Sequence, residues 1–252
     1  MPVFPQRDMI RRPRRAAFAA LLACAACGSF AAPAIVGSGH AAAEDRPASG
    51  FTRLAVSVPG EIELVQGPDE GVSVAADDNV LPRVQTVVDH GTLLVRFARG
   101  AAVRTRTPIR VTVRARSIES VAVTGSAALH AAHLEAGRLA LRLAGSASAL
   151  LPATAVDELD AHLGGHCHLS AAGRARVVAL SVAGAGEVNL ARLEARRATV
   201  RIAGSADVAA WVHESLEAAI SGSGSVRYFG DPAIRKSVSG SGAVERLGAA
   251  PP

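Results

Sequence analysis

The chain has 252 residues, 49% hydrophobic and 19% charged, with 27 Lys+Arg against 22 Asp+Glu. Such a composition supplies a core and excludes a disordered polyelectrolyte. The net charge of +5 is concentrated at the start: residues 1–43 carry Arg7, Arg11, Arg12, Arg14 and Arg15 against Asp8, leaving 22 basic and 21 acidic residues in the remainder. A body so close to neutrality lacks the electrostatic footprint of a DNA- or RNA-binding protein.

The first element is a leader. Arg11-Arg12-Pro13-Arg14-Arg15 precedes an Ala/Leu-rich stretch from Ala16 to about Val36, and Ala41-Ala42-Ala43-Glu44 closes it. A basic segment, an apolar segment and a small-x-small site describe a secretory signal peptide over residues 1–43, cleaved after Ala43 and followed by a linker, 44–50. Gly28, Pro33 and Gly37 interrupt the apolar run, which speaks against a retained membrane anchor. Leu21-Leu22-Ala23-Cys24 resembles a lipoprotein box and Cys27 follows, so lipidation at Cys24 or Cys27 is the alternative to simple cleavage. Cleavage after Ala43 leaves Cys167 as the sole cysteine, and the exported fold then has no intramolecular disulfide.

Residues 51–118 read as strands. Phe51–Val58, Glu61–Val65, Val72–Ala75, Thr92–Phe97 and Ile109–Arg114 alternate apolar with polar, and Gly60, Gly67-Pro68 and His90-Gly91 supply turns between them. This region is expected to form the first coils and an N-terminal cap, because an exposed end coil offers unpaired edges. No amphipathic helix of useful length follows the leader.

Residues 119–246 hold seven repeats, with a tail at 247–252. The marker glycines Gly125, Gly145, Gly165, Gly184, Gly204, Gly222 and Gly240 are 20, 20, 19, 20, 18 and 18 residues apart. Two residues before them stand Val123, Leu143, Leu163, Val182, Ile202, Ile220 and Val238; four after stand Leu129, Ala149, Leu169, Val188, Val208, Val226 and Val244. Two after come the small residues Ala127, Ala147, Cys167, Gly186, Ala206, Gly224 and Gly242. Period-two alternation predicts strands, and columns that recur in every unit predict stacked strands. The expected fold is all-β, a parallel β-helix or solenoid with coils of about 18–20 residues. The small column marks a crowded corner, and Cys167, lying in it, reads as a buried thiol filling Ala/Gly space rather than a nucleophile. Glu245-Arg246 and Pro251-Pro252 are expected to discourage end-to-end stacking.

Ser221-Gly-Ser-Gly224 and Ser239-Gly-Ser-Gly242, the stretches Ala75–Pro82 and Val84–Val95, and Tyr228-Phe-Gly-Asp-Pro232 together resemble the head GIN domain, also catalogued as DUF2807. The resemblance runs from about Phe51 to Val244. It implies a right-handed β-helix-like fold in exported bacterial proteins described as autotransporter adhesin heads, and it brings no catalytic residues. About ten residues follow Gly242, fewer than a translocating barrel needs, so this chain is not expected to carry itself across an outer membrane. The middle turns at Gly145, Gly165 and Gly204 lack the second glycine of the family pattern.

Three features carry candidate chemistry. His162, His166 and His168 fall in outward positions of one coil, and alternation sets His166 and His168 about 7 Å apart on one face, a spacing suited to one metal ion. His130 and His133, one coil earlier, could contribute, and no carboxylate partner is evident in the histidine coil. Glu187 and Asp207 share an outward column on successive coils about 4.8 Å apart, as paired acids do in carbohydrate-cleaving β-helices. The repeats offer few rings to line a sugar cleft: Trp211, Tyr228 and Phe229. Ser126, Ser146, Ser205, Ser223 and Ser241 form a hydroxyl ladder expected to tie turns to their own backbone. No catalytic residue and no cofactor is assigned. The chain reads as an exported, non-enzymatic, adhesin-like module of the periplasm or cell surface, with an envelope or surface protein or glycan as partner and no nucleic acid. Membrane contact follows only if it is lipidated or keeps its leader. The alternatives are a periplasmic metal- or ligand-binding protein using the histidine coil and, more remotely, a carbohydrate-active enzyme.

Overall fold

The computed structural model describes residues 34–100 and 102–251; most of the expected leader, with Cys24 and Cys27, lies outside them. Among the described residues no helix is long and apolar enough to cross a membrane. Most of them lie in strands, and the one helical element among them is a short 3-10 turn at Leu81–Arg83.

The coils stack in parallel and in register. Val121 pairs with Leu141 and Leu141 with Ala161, while Val200, Ala218 and Lys236 share a later ladder. Each step is therefore one coil, and the sequence spacing of the glycines is the coil length. A coil has a first face ending at the marker glycine and a second beginning two residues later. A short third face is exemplified by the pairing of Leu134–Ala136 with Thr154–Val156. Backbone hydrogen bonding runs coil to coil, so one face of each strand is free for the core and the other for solvent.

The core is the set of inward columns. Val123, Leu143, Leu163, Val182, Ile202 and Ile220 are each at most 3% exposed, and Leu129, Leu169, Val188, Val208 and Val226 are buried beside them. Cys167 is buried in the small column, its Sγ 3.4 Å from the Gly164 carbonyl oxygen. The seventh coil departs from the expected inward pattern: Val238 is 41% exposed, because the strand Ala233–Gly240 pairs on one side only and no further coil covers it among the described residues. Ile234 and Leu247 are exposed at the same end.

All seven marker glycines have positive φ, from +94° at Gly145 to +133° at Gly204, a region of the map that L side chains reach only at a cost. Space excludes a side chain as well. A Cβ on Gly204 would stand 2.1 Å from the carbonyl oxygen of Gly184, and one on Gly222 would stand 2.2 Å from that of Gly204. The crowded oxygens are acceptors: the backbone N–H of Ser205 donates to Gly184 O and that of Ser223 to Gly204 O, both at 2.9 Å. Ser146 and Ser241 repeat the bond to Gly125 and Gly222. The serine ladder thus fastens coil to coil through its amides, where sequence reasoning looked to its hydroxyls. The tightest corner is the marker glycine itself, not only the small column two residues later.

Residues 51–116 belong to the same solenoid. Leu54 and Val56 pair with Val121 and Val123, Ile62 pairs with Leu129 and Val111 with Ile62. This end also carries antiparallel pairs: Gly71–Asp77 lies between Arg110–Ala115 and Ala41–Arg46, and Val84–Asp89 pairs with Thr92–Phe97. Ile35–Val36 pairs with Val103–Arg104, and Ala41–Arg46 runs as a strand through the position expected for cleavage and into the expected linker.

Asp77 holds that segment. Its fully buried carboxylate accepts hydrogen bonds from the Thr107 hydroxyl at 2.6 Å and from the backbone N–H groups of Arg106, Thr107 and Gly39 at 2.9, 3.3 and 3.0 Å. The Thr107 hydroxyl, with those amides, outweighs desolvation and pulls the Asp77 pKa down from 3.8 to about 2. A depressed acid stabilises the fold above its unfolded pKa, and that contribution is lost as pH falls from about 4 to about 2. Asp77→Asn should therefore lower stability at pH 7 and flatten the loss of stability between pH 4 and pH 2 relative to wild type. Thermal unfolding of both proteins at a series of pH values checks this; parallel curves would contradict the role given to Asp77.

Candidate functional site

The second face presents two outward columns across the stack. In one, Arg110, Glu61, Ala128 and Ser148 are neighbours on successive strands, and farther along Glu187 pairs with Asp207 and Asp207 with Ser225. In the other, Thr112, Glu63, His130 and Leu150 are neighbours in turn. These columns line a groove of about 710 Å3 into which His168, Ser170, Glu187 and Asn189 also fall. Its floor is the outer surface of a sheet whose inward residues Ile62, Leu129 and Leu169 are locked in the core. The side chains above it are consequently held at fixed spacing by the ladder.

The groove carries more acid than base. Arg110 Nε bonds Glu61 Oε2 at 2.8 Å, so that pair neutralises itself. Glu63 and Glu187 line the same groove with the imidazoles of His130 and His168. Leu150, 47% exposed, adds an apolar contact in the middle. Glu187 and Asp207 are register neighbours, as their spacing predicted. Asp207 accepts a hydrogen bond from the Ser225 hydroxyl, which fixes its carboxylate on the side away from Glu187.

The three histidines of one coil are distributed over separate parts of it. His162 lies on the first face, paired with Arg142, and its Nε2 is 3.1 Å from Asp160 Oδ1. Asp160 is the carboxylate partner that sequence reasoning did not see in this coil. His166 is exposed just after the Gly165 corner, and the buried Cys167 separates it from the exposed His168, so the expected alternation holds over these three residues. His168 alone lines the second-face groove. Among the described residues no group of three or more His, Cys, Asp or Glu is placed to hold a metal ion. Two coils earlier the histidines divide likewise: His130 faces the groove, and His133 Nε2 lies 3.6 Å from Glu135 Oε1.

A second trough, of about 810 Å3, runs along the third face. His213 Nε2 bonds Glu194 at 3.0 Å and Arg176 stands 3.8 Å from Asp157, so most of its charges are matched in pairs. The Trp211 ring lies 5.3 Å from that of His213.

Sequence reasoning identified His168, Glu187 and Asp207 but missed Glu61, Glu63 and Arg110 as part of the same surface. The available signal was the alternation of Glu61-Ile-Glu-Leu, which could have been aligned with Ala128-Leu-His and Ser148-Ala-Leu as earlier coils.

A parallel β-solenoid with a grooved outer face, its coils marked by stacked glycines, is the class of protein these features define. The chain belongs to the family described as "Putative auto-transporter adhesin, head GIN domain", DUF2807, whose model matches residues 50–232. Solved structures share the fold. A putative adhesin from Bacteroides fragilis NCTC 9343 superposes with a TM-score of 0.80 at 22% identity, covering 84% of this chain and 100% of that one. A putative lipid binding protein from Parabacteroides distasonis ATCC 8503 gives 0.69 at 23% identity, covering 85% and 100%. A putative adhesin from Parabacteroides merdae ATCC 43184 gives 0.62 at 22% identity, covering 84% and 98%. No match is found among curated proteins.

Proposed function

We propose that this chain is an exported, non-enzymatic recognition module of the cell envelope or cell surface, adhesin-like, that binds an envelope or surface glycan or protein through the second-face groove. The observation that carries the reading is the groove itself: about 710 Å3 of concave surface with hydroxyls, carboxylates, imidazoles and Leu150 on a sheet that cannot rearrange. A rigid face presenting fixed polar groups suits recognition, because little ordering entropy is lost on binding. Membership of an adhesin-head family and the basic, apolar leader support export and surface or periplasmic placement. The placement of His162 on the first face beside Asp160, with His168 in the second-face groove, weighs against the metal-binding alternative. The tie from Ser225 to Asp207, with no Phe, Tyr or Trp among the described residues of the groove, weighs against sugar cleavage.

Two outcomes check this. Protease added to intact native cells should degrade the epitope-tagged protein if it stands on the surface, and only after outer-membrane permeabilisation if it is periplasmic; protection in both conditions contradicts export. Leu150→Asp combined with His168→Asp should reduce binding of the purified protein to isolated envelope material by about tenfold or more, given central contacts worth over 1 kcal/mol each, without shifting its unfolding temperature. Undiminished binding would remove the groove from the account.

A further inference from the structure

We infer that the segment Ile35–Arg46 stays on the mature protein, with the leader removed upstream of Ile35 rather than after Ala43. This rests on the export reading above.

The segment is built into the fold at four levels. Ala41–Arg46 pairs along its whole six-residue length with Val72–Asp77, whose inward residues Val72, Val74 and Ala76 are in the core. Ile35–Val36 pairs with Val103–Arg104, and the Ile35 and Gly37 N–H groups donate to Ala102 O and Arg104 O at 2.7 Å. Three consecutive side chains clasp what lies between. Asp77 accepts from Gly39 N–H, Asp78 Oδ1 from the Ser38 hydroxyl at 2.5 Å, and Asn79 both accepts from Ser38 N–H at 2.9 Å and donates to Val36 O at 2.8 Å. Gly37 packs so closely that a Cβ there would meet Asp77 Oδ2 at 1.9 Å. At the far end the half-buried Arg46 guanidinium donates to Val84 O at 2.5 Å and Leu81 O at 3.0 Å.

Cleavage after Ala43 would delete the clasped residues and leave the clasp. The buried Asp77 carboxylate would lose a donor, Asn79 would lose both partners, and half of the paired outer edge, Ala75–Asp77, would be bared for pairing with other chains. The sequence offers an earlier site. Ser29-Phe30-Ala31 is a small-x-small triplet, and it shortens the apolar segment to Ala16–Ala26, 11 residues, inside the length expected of a signal peptide. Lipidation at Cys24 or Cys27 would equally keep Ile35–Arg46.

The test is N-terminal sequencing and intact mass of the full chain, tagged at its C-terminus and isolated from the envelope fraction of native cells. A first residue between positions 24 and 35, with Ala32 expected, upholds the inference; a lipid-modified cysteine there upholds it too. A chain starting at Glu44 overturns it while export stands. A chain starting at Met1 or Pro2 and recovered from the cytosol overturns it together with export. The clasp is tested separately on the isolated protein with endoproteinase Glu-C, which cuts after glutamate. Asn79→Ala, which removes two hydrogen bonds without touching the buried acid, should speed cleavage after Glu44 by about tenfold through local opening; Asp77→Ala should speed it further. Equal cleavage rates in wild type and Asn79→Ala would contradict the clasp.

Discussion

From Gly145 onward, the close approach of each marker glycine to the carbonyl oxygen of the glycine below it is the contact on which the solenoid depends. The polypeptide must turn there with positive φ and no side chain, and the oxygen that forbids a Cβ is the one that accepts the next coil's amide. Because the corner is fixed in both conformation and distance, coils cannot slip along one another. A slip of one residue would turn every inward column to solvent. The aliphatic columns and the small column between them follow from that register.

A fixed register also explains why the outer faces are suited to recognition. Hydrogen bonding between coils consumes the backbone groups, and the inward columns consume the aliphatic residues, so the outward columns vary without cost to the fold. The second face uses this freedom to set Glu61, Glu63, His130, His168 and Glu187 around one groove. The third face sets Arg176 with Asp157 and His213 with Glu194 in matched pairs. The two ends of the stack differ. At one, antiparallel strands and the Asp77–Asn79 clasp pair along the edge of the first coils; at the other, Ile234 and Val238 are exposed on a strand that, among the described residues, pairs on one side only.

Much of this was legible in the sequence, and what was missed has physical causes. The repeat spacing gave coil length, inward columns and the burial of Cys167, because each depends only on period-two alternation and a strict glycine marker. The pairing of Glu187 with Asp207 followed from the same register. The His162–Asp160 contact was missed because it joins residues of one strand two positions apart. Glu61 and Arg110 escaped because the first coils lack the marker glycine that aligned the rest. The role of Asp77 was hidden because its partners Gly39 and Thr107 are distant in the chain, and the segment holding Gly39 read as the end of a leader. Val238 read as core because a column predicts burial only where another coil follows.

The most direct test of the glycine contact is a comparison of unfolding temperatures for Gly125→Ala, Gly204→Ala and Gly222→Ala in the same protein. A Cβ at Gly125 meets nothing within 4 Å, whereas at Gly204 and Gly222 it strikes a carbonyl oxygen at 2.1 and 2.2 Å. Gly125→Ala should lose only the ~1–3 kcal/mol of an unfavourable positive φ, while Gly204→Ala and Gly222→Ala should lose clearly more or fail to fold. Equal losses at all three positions would mean that backbone conformation alone, and not the stacked contact, sets the coil.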